Sequence, residues 1–439
     1  MYLNGTMKIN DKGHLEIGGI DTSDLVKEFH TPLWVIDEQG FRNNCRSFRE
    51  AFLEYGDAMV IYASKSLSCL SACRIIDDEG LGLDVVSAGE LYTALQAGFP
   101  PEKIFFHGNN KSREELIMAV EAGIGRFVVD NFYELESLNE LSSEKGLVTD
   151  ILLRITPGVE AHTHDYIKTG QIDSKFGFTL TNGQAWDGVT RALGCSHLFL
   201  KGLHCHIGSQ IFETESFQHT IELMTGFMAR IKNETGHELA ELDLGGGFGI
   251  YYSPGDLPPA PGKWAEVIMT QVKNQTDKLG LKLPRIIIEP GRALISPAGI
   301  TLYTIGSSKE VAGIRKYIAV DGGMNDNPRT ALYNAKYTAI IANKANSAAG
   351  ETVSVAGKCC ESGDMLIWDA KLPPAEPGDI LAVFATGAYT YSMSSNYNRL
   401  PRPAMVLVNQ GEADIIVERE SFEDLIRNDR IPARLTKKL

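Results

Sequence analysis

Eight short apolar, β-branched runs recur between residues 59 and 290, with helix signals in the gaps between them. They are Met59-Val60-Ile61-Tyr62, Leu83-Asp84-Val85-Val86, Ile104-Phe105-Phe106-His107, Phe127-Val128-Val129-Asp130, Ile151-Leu152-Leu153-Arg154-Ile155, Gly202-Leu203-His204-Cys205-His206, Leu242-Asp243-Leu244 and Arg285-Ile286-Ile287-Ile288. The first five start about 23 residues apart, room for a strand, a helix and two short loops. Ser87-x-x-Glu90 and Ser112-x-x-Glu115 fit the capping-box pattern at helix starts, and Gly98 and Gly123 are candidate stops. Strands alternating with helices imply an α/β architecture. The count of eight favours a parallel (β/α)8 barrel over the alternative, a doubly wound open sheet.

The texture changes near residue 300. Short alternating strands follow, at Thr301–Thr304, Tyr317–Val320, Val353–Val355, Ile380–Val383 and Ala404–Val408, punctuated by Gly and Pro. These read as a mainly-β domain. A further strand signal, His14-Leu15-Glu16-Ile17, precedes the barrel and can join that domain. The expected division is a barrel over 32–300 and a β domain made of 1–31 plus 301–439.

Composition narrows the class. The chain has 439 residues, a net charge of −14 and no basic stripe, so no nucleic-acid partner is expected. No apolar run approaches a membrane span and the N-terminus has no apolar leader, so neither membrane nor secretion is indicated. Seven cysteines, an odd number without a paired framework, fit a reducing cytoplasm. Cys69 and Cys73 lie one helical turn apart, but no second pair completes a zinc site, and core packing is the better reading.

In barrels of this kind the chemistry sits at the C-terminal ends of the strands. There the sequence places Lys65, Asp84, Asp130-Asn131, Arg154, His206-Ile207-Gly208-Ser209-Gln210, Gly245-Gly246-Gly247-Phe248-Gly249 and Glu289-Pro290-Gly291-Arg292. Gly245, Gly246 and Gly247 can bring bare backbone N–H groups against phosphate. Lys65 alone reads as a surface lysine. Beside a phosphate site and a carboxylate it reads as a partly desolvated amine that condenses with an aldehyde. An aldehyde with a phosphate and a ring nitrogen is pyridoxal 5′-phosphate, and Glu289 is the candidate partner for the nitrogen. His206 can stack on a planar ring, while His204 can be a hydrogen-bonded core residue. A metal-hydrolase reading of His204-x-His206 lacks further ligands at the other strand ends, which carry glycines, so no metal is assigned.

Together these motifs are similar to the diaminopimelate decarboxylase family, among the barrel-type (fold-type III, alanine-racemase-like) pyridoxal-phosphate enzymes. The resemblance runs in order along nearly the whole chain. It includes Tyr62-Ala63-Ser64-Lys65, Asp84 to Glu90, His162-Thr163-His164, Lys175-Phe176-Gly177, His204 to Gln210, the glycine run and Glu289 to Arg292. In the β domain it covers Asp321 to Asn325, Ala331-Leu332-Tyr333, Cys360 to Asp364, Gly387-Ala388-Tyr389 and Ser392 to Asn398. It implies decarboxylation of meso-2,6-diaminopimelate to L-lysine and carbon dioxide, the last step of lysine biosynthesis. Lys65 would carry the cofactor. Asp84, His206, Ser209, Gly245 to Gly247, Glu289, Gly291, Arg292 and Tyr389 would bind it. Cys360 would be the proton donor, and Arg292, Arg329, Tyr333, Glu361 and Tyr389 would meet the substrate. It further implies a homodimer in which Cys360 and Glu361 reach the partner's barrel, the β domain completing the active site and the dimer interface. Meso-diaminopimelate carries a second amino-acid head, whose carboxylate Arg292 and Arg329 can hold and whose ammonium Glu361 can hold. A decarboxylase of another basic amino acid or carboxylated derivative, and a cofactor-binding relative without turnover, remain as alternatives.

Overall fold

The structure, a computed structural model, describes residues 3–159 and 173–435, so the His162-Thr163-His164 motif lies outside the described residues. The chain divides into two compact units, residues 40–297 and residues 1–39 with 298–439.

The first unit is the expected eight-stranded parallel barrel. Its strands are Ala58–Ala63, Gly82–Val85, Ile104–Phe106, Arg126–Val129, Thr149–Thr156, Leu198–His204, Glu241–Asp243 and Arg285–Ile288. Each pairs in parallel with the next, and the eighth pairs back onto the first with Ile286 opposite Ala58 and Ile288 opposite Val60. Ile61, Phe105, Val128, Leu152 and Ile287 alternate inward and meet as one buried cluster, so the barrel interior is a packed core. At the opposite end from the strand C-termini, Arg126 forks onto Glu241 at 2.8 and 2.7 Å, joining the fourth strand to the seventh across the floor.

Local chemistry starts and stops the helices. Ser112 and Glu115 form a full capping box on Arg113–Ala122, which ends at Gly123 in the left-handed region. Ser87 caps Ala88–Gln96, but its box is incomplete: the Glu90 carboxylate turns away to take the Val86 N–H and the Ser64 hydroxyl. Gly98 follows the Ala97 cap with φ +73°.

In the second unit, the long strand Gly299–Val311 runs antiparallel to Leu33–Asp37, to Ile380–Phe384 and to Arg315–Val320. Ala404–Asn409 lies parallel to Leu33–Asp37. Leu15, Ile17, Leu33, Val35, Ile300, Leu302, Phe384 and Val406 share one core. The units part at residues 39/40 and 297/298, not at 31/32 and 300/301. Leu33–Asp37, an apolar run next to the barrel in sequence, is a strand of the β sheet, because Gly299–Leu302 and Ala404–Val408 flank it on both sides.

Candidate active site

Lys65 sits in a 3-10 turn, Ser64–Ser66, directly after the first barrel strand. Both neighbours are buried while Lys65 itself is exposed. Ser66 Oγ donates to Ala63 O, and Ser64 Oγ donates to Glu90. This fixes the turn from both sides. The Glu289–Arg292 turn comes up against it, and only a residue without a side chain fits at Gly291: a Cβ there would lie 2.9 Å from Ala63 Cβ and 3.1 Å from Ser66 Oγ.

Beneath this turn lies a buried charged layer. Glu289 is 5% exposed, with His107 Nε2 3.1 Å and His204 Nε2 3.3 Å from its Oε1. His107 Nε2 also lies 3.9 Å from Asp84 Oδ1. Arg154 Nε lies 3.8 Å from Asp130 Oδ1, and Asp130 Oδ2 accepts the Gly177 N–H. Burial pushes Asp84 up and Asp243 well above the usual carboxylate range, Glu289 adding to both shifts. Burial also acts to raise Glu289, but His107 and His204 outweigh it and hold this carboxyl well below the usual range. Burial drives His204 down to about 4, so its imidazole is neutral at pH 7. The three ligand atoms of His107, His204 and Glu289 all lie within 4.8 Å of one another.

The loops after the sixth and seventh strands zip together. Ile211 N–H donates to Gly247 O, and Gln210 pairs its carboxamide with both backbone groups of Ile250. Gly245 and Gly247 adopt φ +69° and +109°, and a Cβ at Gly246 would meet Glu289 O at 2.3 Å. The Gly246 N–H donates to His206 Nδ1 at 3.1 Å. That bond puts the ring proton on Nε2 and fixes the imidazole plane. Burial and the Lys65 charge keep His206 well below its ordinary pKa. Arg292 opens the short helix Arg292–Ile295, donating to Tyr252 Oη at 2.8 Å and Ser209 Oγ at 3.0 Å. Lys65, Asp84, His206, Ser209, the glycine run, Glu289, Gly291 and Arg292 thus all belong to one end of one barrel.

The remaining candidates lie in the β unit. Arg329 is 7% exposed and not the surface arginine that its place after Pro328 would suggest. It donates to Tyr337 Oη at 2.7 Å, and its guanidinium stands 5.7 Å from the Tyr389 ring centre. Tyr333 ends the same short helix, Arg329–Tyr333, and is half-buried. Cys360 and Glu361 are exposed on a loop held by Asp364, which accepts the N–H groups of Cys359 and Met324 at 2.7 Å each. The Cys360 N–H donates to Asn398 Oδ1 at 2.6 Å. Cys359 is buried, and its thiol is pushed up to about 12 by desolvation and by Asp364. His107, Asp243, Glu90 and Asn398 are groups that the sequence reading passed over. Each ends a strand run or sits in a motif already quoted, so only their partners were hidden.

The family profile described as "Pyridoxal-dependent decarboxylase, pyridoxal binding domain" matches residues 39–296, more than half of the chain. The chain belongs to that family of pyridoxal-dependent decarboxylases. The diaminopimelate decarboxylase of Bacillus subtilis (strain 168) is 54% identical over 98% of both chains, and that of Bacillus methanolicus 55% over 96% of this chain and 98% of its own. The crystal structure of diaminopimelate decarboxylase from M. jannaschii in complex with L-lysine superposes with a TM-score of 0.93 at 37% identity, covering 99% of this chain and all of that one. The cofactor of the family is pyridoxal 5′-phosphate, and the barrel mouth fits it. Glu289 is a carboxylate 5% exposed and held well below its ordinary range, an anion that a ring N–H can pair with. The glycine loops offer side-chain-free backbone to a phosphate, although the Gly245 and Gly246 N–H groups, expected to be bare, are already given to Asp243 Oδ1 and His206 Nδ1.

Proposed function

We propose that this chain removes one carboxylate from meso-2,6-diaminopimelate, releasing L-lysine and carbon dioxide. The observation that carries the reading is the 54% identity to a diaminopimelate decarboxylase over 98% of both chains. The chain is an amino-acid decarboxylase, and when bound its cofactor supplies the electron sink that makes loss of the carboxylate feasible. Lys65 holds the cofactor at the barrel mouth. Glu289, ionised and buried, keeps the ring nitrogen protonated. His206, its plane set by Gly246, lies against the ring. Gly247, Ser209, Gly291 and Arg292 receive the phosphate, Gly245 and Gly246 let the backbone come close without side chains, and Asp84 lies in the polar layer below; Tyr389, in the β unit, is a further candidate for the cofactor.

Arg329 and Tyr333, with Glu361, bind the distal head of the substrate. The burial of Arg329 between two tyrosines supports this, since a desolvated guanidinium grips a carboxylate more strongly than an exposed one. Arg292 donates to Ser209 in the barrel, which favours the phosphate for it over the distal carboxylate. Cys360 returns a proton to Cα. Cys360 and Glu361 are exposed in the single chain, which supports a homodimer in which they serve the partner's barrel. Seven free thiols support a reducing, cytoplasmic setting, and no helix among the described residues is long and apolar enough to cross a membrane. Carbon dioxide release from meso-diaminopimelate, lysine, ornithine and arginine, each offered alone, tests the reading. Release from meso-diaminopimelate alone is expected; release from ornithine or arginine in its place would refute it.

A further inference from the structure

Three carboxyl groups, Asp84, Asp243 and Glu289, share the buried layer under the Lys65 turn, and all are at most 5% exposed. Three carboxylates cannot all stay ionised so close together out of water. Glu289 adds to burial in pushing the Asp243 carboxyl well above its ordinary range, so Asp243 is the member of this pair that favours a proton. Asp243 Oδ1 already takes the Gly245 N–H at 2.9 Å, leaving Oδ2, which lacks an aligned partner, to hold that proton. On the other side, His107 Nε2 and His204 Nε2 converge on Glu289 Oε1 at 3.1 and 3.3 Å. The two rings pack edge to face, 4.9 Å between centres.

We propose that His107, His204 and Asp243 are positioning residues that present N–H and O–H groups to Glu289, so that the negative charge of this layer rests on Glu289 in a fixed orientation. The proposal rests on the reading that Glu289 pairs with the ring nitrogen of the cofactor. The arrangement assigns the protons. His204 is a neutral donor, its imidazole pushed down to about 4 by burial. Burial pushes Asp243 well above and Asp84 above the usual carboxylate range while Glu289 is held well below it, so the charge favours Glu289. The other titratable or charged groups facing this layer, among the described residues, are Lys65, Glu90, Asp130, Arg154, Cys205 and His206; Arg154 lies against Asp130 and, with Lys65, adds positive charge to the layer. A carboxylate buried among groups that lacked these donors would take up a proton itself, and would then offer the ring nitrogen nothing to share.

The test is the affinity of the apoenzyme for pyridoxal 5′-phosphate, read by equilibrium dialysis across pH, with apoenzyme melting temperature as the folding control. His204→Phe keeps a ring and deletes the donor. It should weaken binding about ten- to hundredfold, the loss of one hydrogen bond to a charged group. Its Kd relative to wild type should climb as pH falls, because Glu289 then protonates within the assay range. His204→Gln, which keeps an N–H, should restore the wild-type pH profile. Asp243→Asn, a neutral donor like the protonated acid, should stay within about threefold of wild type. Glu289→Gln separates the two readings: wild-type affinity there would overturn the Glu289 assignment itself. Loss in Glu289→Gln, with a His204→Phe profile parallel to wild type, would overturn only the positioning network. One zinc ion bound per apoenzyme chain and lost in His204→Phe would also overturn it, by making the cluster a metal site.

Discussion

Lys111 is buried in the barrel with all three ammonium hydrogens engaged. It donates to Gly108 O at 3.0 Å, Val128 O at 2.9 Å and Glu134 Oε1 at 2.7 Å, and both side chains of the pair are 1% exposed. The second Glu134 oxygen accepts the Asp130 N–H at 3.0 Å. The pair therefore fastens the loop after the third strand, which begins at His107, to the loop after the fourth, which begins at Asp130. Lys111→Met keeps the length of the stem and deletes the charge. Breaking a buried pair from one side costs about 3–5 kcal/mol, and the two carbonyls that lose their donor put the effect at the upper end of that range. Net domain stability is only about 5–15 kcal/mol, so the variant should be severely weakened.

The pH dependence has a definite sign. Burial already raises Glu134 above its ordinary 4.5 with Lys111 present, and removing the ammonium raises it further. A carboxyl whose pKa is higher in the folded than in the unfolded state makes stability fall as pH rises through that interval. The deficit of Lys111→Met should thus be smallest in acid and grow toward neutrality. Urea unfolding of the apoenzyme, followed by tryptophan fluorescence at about pH 5 and about pH 8, measures it. Lys111→Met/Glu134→Leu should recover most of the loss. A Lys111→Met enzyme as stable as wild type at the higher pH, or a deficit that ignores pH, would refute the argument.

Lys65→Ala should abolish the visible absorbance of the bound cofactor, and a surviving band would remove Lys65 from its proposed role. Cys360→Ala should slow turnover by about a hundredfold, within the range for loss of a general acid, while the band persists. Cys359→Ala should leave turnover near wild type, because that thiol is buried and held protonated; the reverse ranking of the two variants would exchange their roles. Arg292→Lys loses the fork onto Tyr252 and Ser209. If Arg292 serves the phosphate, cofactor affinity should fall about tenfold or more with KM little changed; a loss confined to substrate affinity would assign it to the distal carboxylate.

All eight barrel strands were legible because a parallel strand buried on both faces must be an unbroken apolar run, whatever its partners. The β unit was less so. Leu33–Asp37 is just such a run, but its neighbours Gly299–Leu302 and Ala404–Val408 are hundreds of residues away, and nothing local says which sheet it joins. Met365–Leu372 escaped notice because it carries exposed Trp368 and Asp369 in mid-strand and twists through a left-handed Asp369. Glu412–Val417 is an edge strand with no fully buried residue, and its short alternation of Ala413, Ile415 and Val417 is blurred by Ile416 on the other face. The site divides the same way. Lys65, Glu289 and the glycine run announce themselves by residue type at a strand end. His107 and Asp243 end or interrupt runs that were equally visible, yet their meaning depends on barrel closure, which sets the third and seventh strands around the eighth. Glu90 shows the opposite error: a local pattern assigned it to a helix cap, and a stronger long-range bond to Ser64 claimed it instead.

The floor of the barrel has a bearing on traffic. With Arg126 locked onto Glu241 at one end and Ile61, Phe105, Val128, Leu152 and Ile287 filling the middle, the described residues close the barrel from below. Glu289 is then approached from the strand C-terminal end, the end that carries Lys65. Cofactor and substrate then form a queue, last in and first out: the cofactor loads before the substrate arrives, and an occupied doorway delays its escape. An enzyme built this way can bind its cofactor with modest intrinsic affinity and still retain it for as long as substrate is plentiful.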